Sequence, residues 1–448
     1  MSQTNTPIKV GMVSLGCAKN QVDAEIMLSK LVKEGFVLTP EQAEADVVII
    51  NTCGFIEDAK KESIENILEI IELKKEGKLK GIVVSGCLSQ RYKNDIKKEM
   101  PEIDVVMDLS GNSDIVKAVY SALSAESLEL FGEPESMQLG GDRLLTTPHY
   151  YAYLKVAEGC DNCCSYCVIP QIRGKFRSRP MEELLAEAKK LSAMGVRELN
   201  IIAQDTTRYG EDLDGTLALP KLLTELCKIE GIEWIRLLYC YPDRITDELL
   251  ETIAIEPKIV KYMDIPLQHI NGRILKAMNR NGDKNSLSAL ITKIRAKIPE
   301  VTLRTTLITG FPGETDAEFE EMATFIKETK FDRLGAFAYS CEEDTKAALL
   351  PNQVEETIKL HRQELIMQEQ AEIMEELNTA KIGKTVKVLV EGYDKYVKWY
   401  FGRSPSDAPD VDGKVFFTAE NKPNEGDFVE VLITEVVEFD LLGEAVEK

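Results

Sequence analysis

Residues 150–170 read YYAYLKVAEGCDNCCSYCVIP and contain the most specific pattern in the chain. A β-rich apolar run ends at Cys160, and Cys164 and Cys167 follow it in C-x3-C-x2-C spacing. Three thiolates in one tight loop can bind three irons of a 4Fe-4S cube and leave the fourth iron without a protein ligand. That iron is open to a chelating ligand, so we expect a cofactor-binding cluster directly after this strand.

Structural zinc is the alternative for the same loop. Cys163 creates two C-x2-C pairs, Cys160 with Cys163 and Cys164 with Cys167, and such pairs are common zinc ligands. Zinc sites normally hold their two pairs some distance apart, whereas these four cysteines are nearly contiguous. We therefore favour the iron-sulfur interpretation and treat Cys163 as a bystander or an alternative ligand.

Six strand-helix units begin at this stretch. Apolar strand patterns alternate with helical periodicity, which is the arrangement of three-quarters of a TIM barrel. The predicted strands lie at 150–160, 198–205, 234–241, 262–268, 302–310 and 333–340, and the helices at about 181–194, 217–229, 246–254, 272–279, 286–297 and 315–329. We predict an open (βα)6 partial barrel over residues 146–380, whose last part, 352–380, is one long helix without Gly or Pro.

An earlier segment, residues 7–123, repeats one unit three times. The runs IKVGMVSLGC, ADVVIINTC and GIVVSGC end at Cys17, Cys53 and Cys87, and helical stretches follow at about 20–34, 57–75 and 89–98. This order predicts a doubly wound parallel sheet, in which all strand C-termini share one edge. Three buried structural thiols are the alternative, but three cysteines at equivalent positions suggest a second 4Fe-4S cluster.

The remaining segments are predicted from composition. Residues 124–145 are polar, with Pro and Gly-Gly, and indicate a linker. Residues 381–448 alternate in short strands and predict a small antiparallel β-barrel. Cys227, Cys240 and Cys341 follow no ligand spacing, so we interpret them as structural.

Composition and charge limit the class of protein. The first residues lack a secretory signal and no apolar stretch approaches 18 residues, so we expect a cytoplasmic protein whose ten cysteines serve metal or redox chemistry. The chain has only three histidines, His149, His269 and His361, and this small number argues against a histidine-rich metal site. The net charge of -22 favours basic partners. Residues 381–448, with 9 Lys plus Arg and 14 Asp plus Glu, are too acidic for a typical tRNA-binding module.

With these motifs in view, the chain resembles the radical S-adenosylmethionine (SAM) methylthiotransferase family. The family combines a three-cysteine N-terminal domain, a radical SAM core and a C-terminal TRAM domain, and the match covers essentially the whole chain. SLGCAKNQVDAE, NTCGFIEDAKKESI and AQDTTRYG resemble the members that modify ribosomal protein S twelve. The resemblance implies two 4Fe-4S clusters. One SAM would supply the methyl group, a second SAM the radical, and the N-terminal cluster would carry the sulfur to the β-carbon of an aspartate.

The resemblance also implies candidate binding residues. For SAM these are Tyr166 beside the last cysteine, Gln204 and Asp205 after the second strand, Gln268 and Arg304 at or in barrel strands, and Gly310 and Glu314 of TGFPGE. Gln268 and Arg304 could equally be paired polar residues of the barrel interior. No catalytic residue is assigned beyond the cluster ligands.

Candidate substrate contacts follow from two further stretches. Arg173 and Arg177 belong to IRGKFRSRP, which is either a solvated loop or a source of cations for a cluster or a substrate carboxylate. Trp399 and Arg403 lie in the C-terminal module, where a strand with an exposed turn is the alternative explanation. We expect this module to bind the ribosomal protein and to be removable without loss of the clusters.

Two other functions remain open at this point. A tRNA (adenosine) methylthiotransferase would use the same chemistry on a nucleoside, and a non-catalytic metal-cluster scaffold would use none. The resemblance further implies a low-potential electron donor such as flavodoxin or ferredoxin as a partner. The sulfur donor and the oligomeric state leave no mark in the sequence.

Overall fold

The computed structural model describes residues 7–446. Residues 1–6, on which the expectation about a leader partly rests, and residues 447–448 at the end of the C-terminal module lie outside the described part. Within 7–446, none of the helices has the length and apolarity that crossing a bilayer demands.

The first unit is a six-stranded parallel sheet between two layers of helices. Its strand order is β2-β1-β3-β4-β5-β6. Its elements are β1 (Lys9–Ser14), α1 (Ala18–Glu34), β2 (Val37–Leu38), β3 (Val47–Thr52), α2 (Glu57–Lys75), β4 (Gly81–Gly86), α3 (Cys87–Arg91), α4 (Lys93–Glu99), β5 (Val105–Met107), α5 (Ile115–Leu123) and β6 (Leu128–Leu130).

The central strand β3 explains why the sheet is covered on both faces. Val47 and Ile49 pack with α1 and α5, whereas Val48 and Ile50 pack with α2 and α4. Because successive strand side chains point to opposite faces, a continuously apolar strand has to be buried on both. The doubly wound prediction is confirmed.

One boundary of this unit differs from the prediction. Within the segment expected to be a linker, β6 pairs in parallel with β5 and extends the sheet by one strand. Leu128 and Leu130 pack against the same core as α5. Three residues between polar flanks are too few for periodicity to reveal a strand, so only packing against the preformed sheet shows it.

The second unit is an open parallel barrel with strand order β14-β13-β12-β11-β10-β7, as predicted. Its strands are β7 (Tyr151–Lys155), β10 (Glu198–Ile202), β11 (Trp234–Leu237), β12 (Ile259–Asp264), β13 (Thr302–Thr309) and β14 (Arg333–Ala338). Its helices are α6 (Ile169–Arg173), α7 (Met181–Ala193), α8 (Glu211–Asp214), α9 (Leu219–Cys227), α10 (Asp247–Ile255), α11 (Gly272–Ala277), α12 (Lys284–Lys297), α13 (Asp316–Thr329) and α14 (Glu356–Thr379). A short antiparallel pair, β8 (Ala157–Glu158) and β9 (Arg177–Ser178), frames the cysteine loop.

Alternation along β13 shows how the barrel is built. Leu303 and Leu307 belong to the large core between strands and helices. Arg304 and Thr306, between them, are only half-buried. Because side chains alternate across a strand, these polar residues face the barrel interior. The helix α14 closes the outer layer through buried Ile366 and Ile373.

The third unit is a closed five-stranded barrel in the order β15-β16-β17-β19-β18. Its strands are β15 (Thr385–Asp394), β16 (Trp399–Arg403), β17 (Val415–Thr418), β18 (Phe428–Val437) and β19 (Asp440–Ala445). Four pairings are antiparallel, and β17 with β19 is parallel. The C-terminal β-barrel expected from alternation is present.

Candidate functional site

The cysteines of the first unit follow three adjacent strands. Ser14 of β1 is in register with Asn51 of β3, which is in register with Ser85 of β4. Cys17, Cys53 and Cys87 come directly after these positions. The parallel sheet therefore brings residues from three distant parts of the sequence to one edge, as predicted.

Polar side chains fix the loops that carry these cysteines. Asn20 Nδ2 donates to the carbonyl oxygens of Leu15 at 2.7 Å and of Thr52 at 3.3 Å, which ties the first loop to the second. Buried Ser63 accepts from the Cys53 amide at 3.0 Å and donates to the Cys53 carbonyl at 2.8 Å. Because these groups are buried and paired, they hold the loops of Cys17 and Cys53 in one conformation.

Gly16 marks the closest approach of two of these loops. Its φ is +87°, and a Cβ at this position would lie 3.0 Å from Cys53 Sγ. A side chain would thus fill the space beside the sulfur. The position requires glycine for both its backbone conformation and the room that it leaves.

Electrostatics distinguish the three thiols. Burial opposes ionisation of Cys17, yet Lys19 and Arg173 hold its pKa below the ordinary value. Burial raises the pKa of Cys53, and it raises the pKa of Cys87 to about 12 although Arg173 acts in the opposite direction. Metal coordination displaces the thiol proton, so binding iron here releases protons.

The barrel cysteines lie in a loop closed by backbone hydrogen bonds. The amide of Cys160 donates to Gly174 O at 3.1 Å, and that of Cys167 donates to Cys164 O at 3.0 Å. The amide of Ile169 donates to Cys167 Sγ at 3.4 Å. The loop emerges at the C-terminal ends of the barrel strands, where ligands of such barrels bind.

A buried arginine accompanies the barrel thiols. Burial raises the pKa of Cys160 to about 12 and that of Cys167 above its ordinary range, and neighbouring thiols add to the effect. Arg280 Nη1 lies 3.7 Å from Cys164 Sγ, and its guanidinium stacks 4.3 Å from the ring centroid of Tyr241. The guanidinium is thus held between the ring of Tyr241 and the sulfur of Cys164.

The donor sets fit two iron-sulfur clusters. Each offers three thiols from rigid loops. Cys163 belongs to neither set. It is exposed, with φ of +49°, and its carbonyl oxygen accepts a hydrogen bond from Asn279 Nδ2 at 3.0 Å. Within residues 7–446, no three His, Cys, Asp or Glu side chains converge on the position of one metal ion. Ligands of a cube bind different irons and so lie further apart than ligands of a single ion.

A buried ionic network joins the two cysteine groups. Arg173 Nη1 donates to Asp23 Oδ2 at 3.1 Å and to Glu158 Oε2 at 2.9 Å, and its Nη2 donates to Cys87 Sγ at 3.4 Å. Lys155 Nζ binds the same two carboxylates at 2.5 and 2.8 Å. Two carboxylates and two cations thus form a fully buried set, which consists of Asp23, Glu158, Lys155 and Arg173. Arg173 thus acts on the N-terminal thiols from the barrel side.

Most of the predicted SAM contacts lie at the strand ends around the cysteine loop. Gln204 Nε2 donates to Glu158 Oε1 at 2.6 Å, and buried Asp205 accepts from Asn162 Nδ2 at 2.9 Å, which links it to the loop. Tyr166 packs on the barrel core. Gln268 has φ of +70°, a strained conformation for a side chain of its size.

Glu314 and Arg304, two further predicted SAM contacts, form ion pairs within the protein. Glu314 is buried, accepts from the Gly310 amide at 3.1 Å and from Arg362 Nη1 at 2.6 Å, and so shapes its glycine loop from within. Arg304 Nη1 donates to Asp264 Oδ1 at 2.9 Å and lines a cavity of about 430 Å³ shared with the C-terminal barrel. The alternative of a paired interior residue describes Arg304 better.

The predicted substrate contacts are not brought together. Arg177 donates to the carbonyl oxygens of Pro134 and Glu135, so it anchors the preceding segment. Arg403 is buried and binds Glu198 Oε2 and Glu391 Oε1, both at 2.6 Å. Trp399 is half-exposed on β16. Burial and pairing exclude Arg403 from contact with a protein partner in this arrangement.

Sequence reasoning missed two buried cations beside the cysteines. Lys19 and Arg280 are each 7% exposed, and neither has a carboxylate within ion-pair distance among the described residues. Lys19 follows the first cysteine within the motif SLGCAKN, and that proximity was the available signal. Nothing in the sequence near Arg280 indicates its approach to Cys164.

Comparisons with known proteins agree with this architecture. Residues 9–108 match the Uncharacterized protein family UPF0004, residues 154–326 the Radical SAM superfamily and residues 382–446 the TRAM domain. Among solved structures, the radical S-adenosylmethionine methyltransferase TsrM from Kitasatospora setae is similar in fold, with a TM-score of 0.57 and 13% identity over 74% of this chain and 75% of that one.

Curated relatives extend the similarity to the full chain. "Ribosomal protein uS12 methylthiotransferase RimO" of Caldanaerobacter subterraneus is 50% identical over 97% of this chain and 99% of its own. The protein of the same name from Geobacter sulfurreducens is 47% identical over 99% of this chain and 100% of its own. Identity at this level over both chains, together with the two three-cysteine groups, shows that the chain belongs to the RimO family of radical SAM methylthiotransferases.

Proposed function

We propose that this enzyme adds a methylthio group to the β-carbon of an aspartate in ribosomal protein uS12, the protein S twelve of the small subunit. The observation that carries the proposal is the pair of three-cysteine groups that one buried ionic network joins. Relatives that carry the uS12 methylthiotransferase name match over nearly their whole length. A single-cluster enzyme would have no use for the second group of thiols.

We assign the six cysteines as ligands in two sets. Cys17, Cys53 and Cys87 would hold the sulfur-carrying cluster, and the barrel set of Cys160, Cys164 and Cys167 would hold the cluster that binds SAM. When bound, that cluster and SAM supply a carbon-centred radical that removes a hydrogen atom from the substrate carbon, with one electron coming from a low-potential donor such as flavodoxin or ferredoxin. The protein's own contribution is to hold both centres and the substrate in fixed geometry.

The residues at the barrel strand ends would orient SAM. Gln204 and Asp205 follow β10, and the strained Gln268 follows β12. Hydrogen bonds to Glu158 and Asn162 keep Gln204 and Asp205 in place before a ligand arrives. Preformed polar groups of this kind lose little entropy on binding. We further propose that the enzyme acts in the cytoplasm, where uS12 is made.

Iron content and product analysis test the assignment. Anaerobically reconstituted enzyme should bind about eight irons, the sum of two 4Fe-4S clusters. Replacing Cys17, Cys53 and Cys87 together with Ala should leave about half, with SAM cleavage to 5'-deoxyadenosine retained and methylthio transfer to uS12 lost. As a matched control, the triple variant of Cys227, Cys240 and Cys341 should keep the full iron content.

Three outcomes would reject the proposal. Full iron content in the N-terminal triple variant would mean that no second cluster exists. Methylthio transfer to tRNA rather than to uS12 at equal ionic strength would favour the nucleoside enzyme, and absence of 5'-deoxyadenosine after reduction would favour a scaffold.

A further inference from the structure

We propose that Lys19 binds the side-chain carboxylate of the substrate aspartate and thereby selects aspartate over uncharged residues. The inference rests on the proposed function and adds a specificity-determining residue to it. Lys19 has no role among the cluster ligands or the residues assigned to SAM.

Lys19 lies where the two cysteine groups face each other. It belongs to the first turn of α1, next but one to Cys17. Its Nζ lies 3.5 Å from the carbonyl oxygen of Ala203, at the C-terminal end of β10, and 3.4 Å from the ring centroid of Tyr239, just after β11. The ammonium group therefore reaches from the N-terminal unit to the barrel edge that Gln204 and Asp205 occupy.

The charge of Lys19 is buried without a carboxylate partner. The residue is 7% exposed, and none of the ion pairs among residues 7–446 includes it. By contrast, the neighbouring cations Lys155 and Arg173 are each bound to both Asp23 and Glu158. The Tyr239 side chain, the Cys17 sulfur and one carbonyl oxygen stabilise this buried ammonium group, but no carboxylate among the described residues does, so an arriving carboxylate can pair with it directly.

Tyr239, whose ring lies against Lys19, is itself held in an unusual backbone conformation. Tyr239 has φ of +60°, which bulky residues seldom adopt. Its amide donates to Asp264 Oδ2 at 3.0 Å and its carbonyl accepts from the amide of Thr206 at 3.0 Å, which fixes the backbone in that conformation. Strain that the surroundings enforce at a strand end is typical of a ligand-binding position.

The reaction needs an anchor at this place. The hydrogen atom is taken from the carbon next to the substrate carboxylate, so a cation that binds this carboxylate would hold the reacting carbon between the two clusters. Arg173 and Lys155 cannot serve, because their charges are already neutralised within the buried network. Lys19, by contrast, is a buried cation at this junction that no carboxylate of the described residues binds.

Binding measurements with two forms of the substrate test the proposal. Holoenzyme with both clusters is titrated with labelled uS12 and with a uS12 variant in which the modified aspartate is Asn. The wild-type enzyme should bind the Asn form roughly 30-fold more weakly, as expected for loss of one buried charge pair. Lys19→Met should bind both forms equally and about as weakly as the wild type binds the Asn form, whereas Lys19→Arg should restore part of the preference for Asp.

Lys33→Met is the matched control. Lys33 lies on the same helix, is exposed and pairs with Asp142 at the surface, so its removal changes net charge equally but not the junction. It should leave the preference for Asp unchanged. The electron paramagnetic resonance spectrum of each variant shows whether the N-terminal cluster is intact.

The outcomes separate the two proposals. If the wild type methylthiolates uS12 and Lys19→Met still prefers the Asp form as the wild type does, Lys19 is not the carboxylate anchor although the function stands. If the wild type neither binds nor modifies uS12, the proposed function fails and the role of Lys19 fails with it.

Discussion

At the scale of single residues, Arg173 connects the two halves of the site. It ends the short helix α6 that follows the barrel cysteines, yet its Nη2 donates to Cys87 Sγ of the N-terminal set. Hydrogen bonds and positive charge next to a cluster sulfur stabilise the reduced, more negative state of the cluster. In the proposed two-cluster enzyme, Arg173 would thus tune the N-terminal cluster from the barrel side.

Removing this guanidinium should lower the reduction potential of the N-terminal cluster. Arg173→Met is expected to shift that potential by tens of millivolts while the barrel cluster changes little, because Cys87 of the N-terminal set is the thiol to which Arg173 bonds among the described residues. A redox titration followed by electron paramagnetic resonance measures both. Arg177→Met is the control, since Arg177 bonds to backbone carbonyl oxygens, and equal potentials in the two variants would contradict the tuning role.

Gly16 allows a second prediction for the same cluster. Gly16→Ala places a Cβ against Cys53 Sγ, so the variant should lose most of its N-terminal iron while keeping the barrel cluster. Gly35→Ala is matched, because Gly35 has a similar φ of +99° but nothing within 4 Å of the new Cβ. Iron analysis compares them. If both variants lose iron equally, backbone strain rather than crowding of the sulfur is responsible.

At the scale of elements, one segment after β14 fastens the N-terminal unit onto the barrel. Glu342 is buried and pairs with Lys60 of α2 at 3.1 Å and with Arg91 of α3 at 2.8 Å. Arg91 also donates to the carbonyl oxygen of Gly54, next to Cys53. The contact keeps the N-terminal cysteine edge over the barrel edge, which a transfer between two clusters requires.

Weakening this contact should loosen the two units without unfolding either. Burial opposes ionisation of Glu342, but hydrogen bonds from Ser340, Arg91 and Lys60 hold its pKa below the usual value. The stability that ionised Glu342 contributes is therefore complete above a pH of about 4.3, the pKa of the group in the unfolded chain. It is lost as the pH falls through the lower pKa of Glu342 in the folded state. Glu342→Gln should remove it at neutral pH.

Hydrogen exchange measures this loosening. Amides of α2 and α3 should exchange faster in Glu342→Gln at pH 7, while amides of β12 and β13 remain protected. Glu57→Gln is the control, because Glu57 also pairs with Lys60 but is largely exposed. Unchanged exchange in α2 and α3 would show that the contact does not hold the units together.

At the scale of the whole molecule, the C-terminal barrel seals the end of the radical SAM barrel opposite the cysteines. Its contacts involve strand starts: Arg403 binds Glu198 at the first position of β10, and Asp407 binds Arg333 at the first position of β14. Tyr262 donates to Asp412 at 2.7 Å. These buried pairs argue against the expectation that the module can be removed without loss of the clusters, because its removal would leave buried charges in the radical SAM barrel unpaired.

The ion pairs of Glu198 allow the contribution of this seal to the free energy of unfolding to be measured. It bonds to Arg403 at 2.6 Å and to Arg236 at 2.9 Å, and all three side chains are buried. Glu198→Gln should lower the free energy of unfolding by about 3–5 kcal/mol, because two buried guanidinium groups lose their shared anion. Glu44→Gln, at an exposed pair with Lys9, should change it by at most about 1 kcal/mol. Denaturant unfolding compares them, and equal losses would contradict the role of the seal.

The architecture could be predicted from the sequence alone, and so could the cysteines proposed as metal ligands. Alternating strand and helix periodicity is a local property, so six barrel units and three cysteine-ended units are visible without any knowledge of packing. Parallel strands put their C-terminal ends on one edge, and this rule alone brings Cys17, Cys53 and Cys87 together.

Which charged groups are paired and which are not depends on how the units pack. Asp23 and Lys155, or Glu198 and Arg403, are far apart in the chain, and their pairing depends on how separate units pack. Burial converts such side chains into ion pairs, and no pattern of neighbouring residues encodes it. For this reason the sequence suggested Arg403 as a substrate contact, whereas the fold buries Arg403 in the seal. Among the described residues, the fold leaves the charge of Lys19, between the two cysteine groups, without a carboxylate partner.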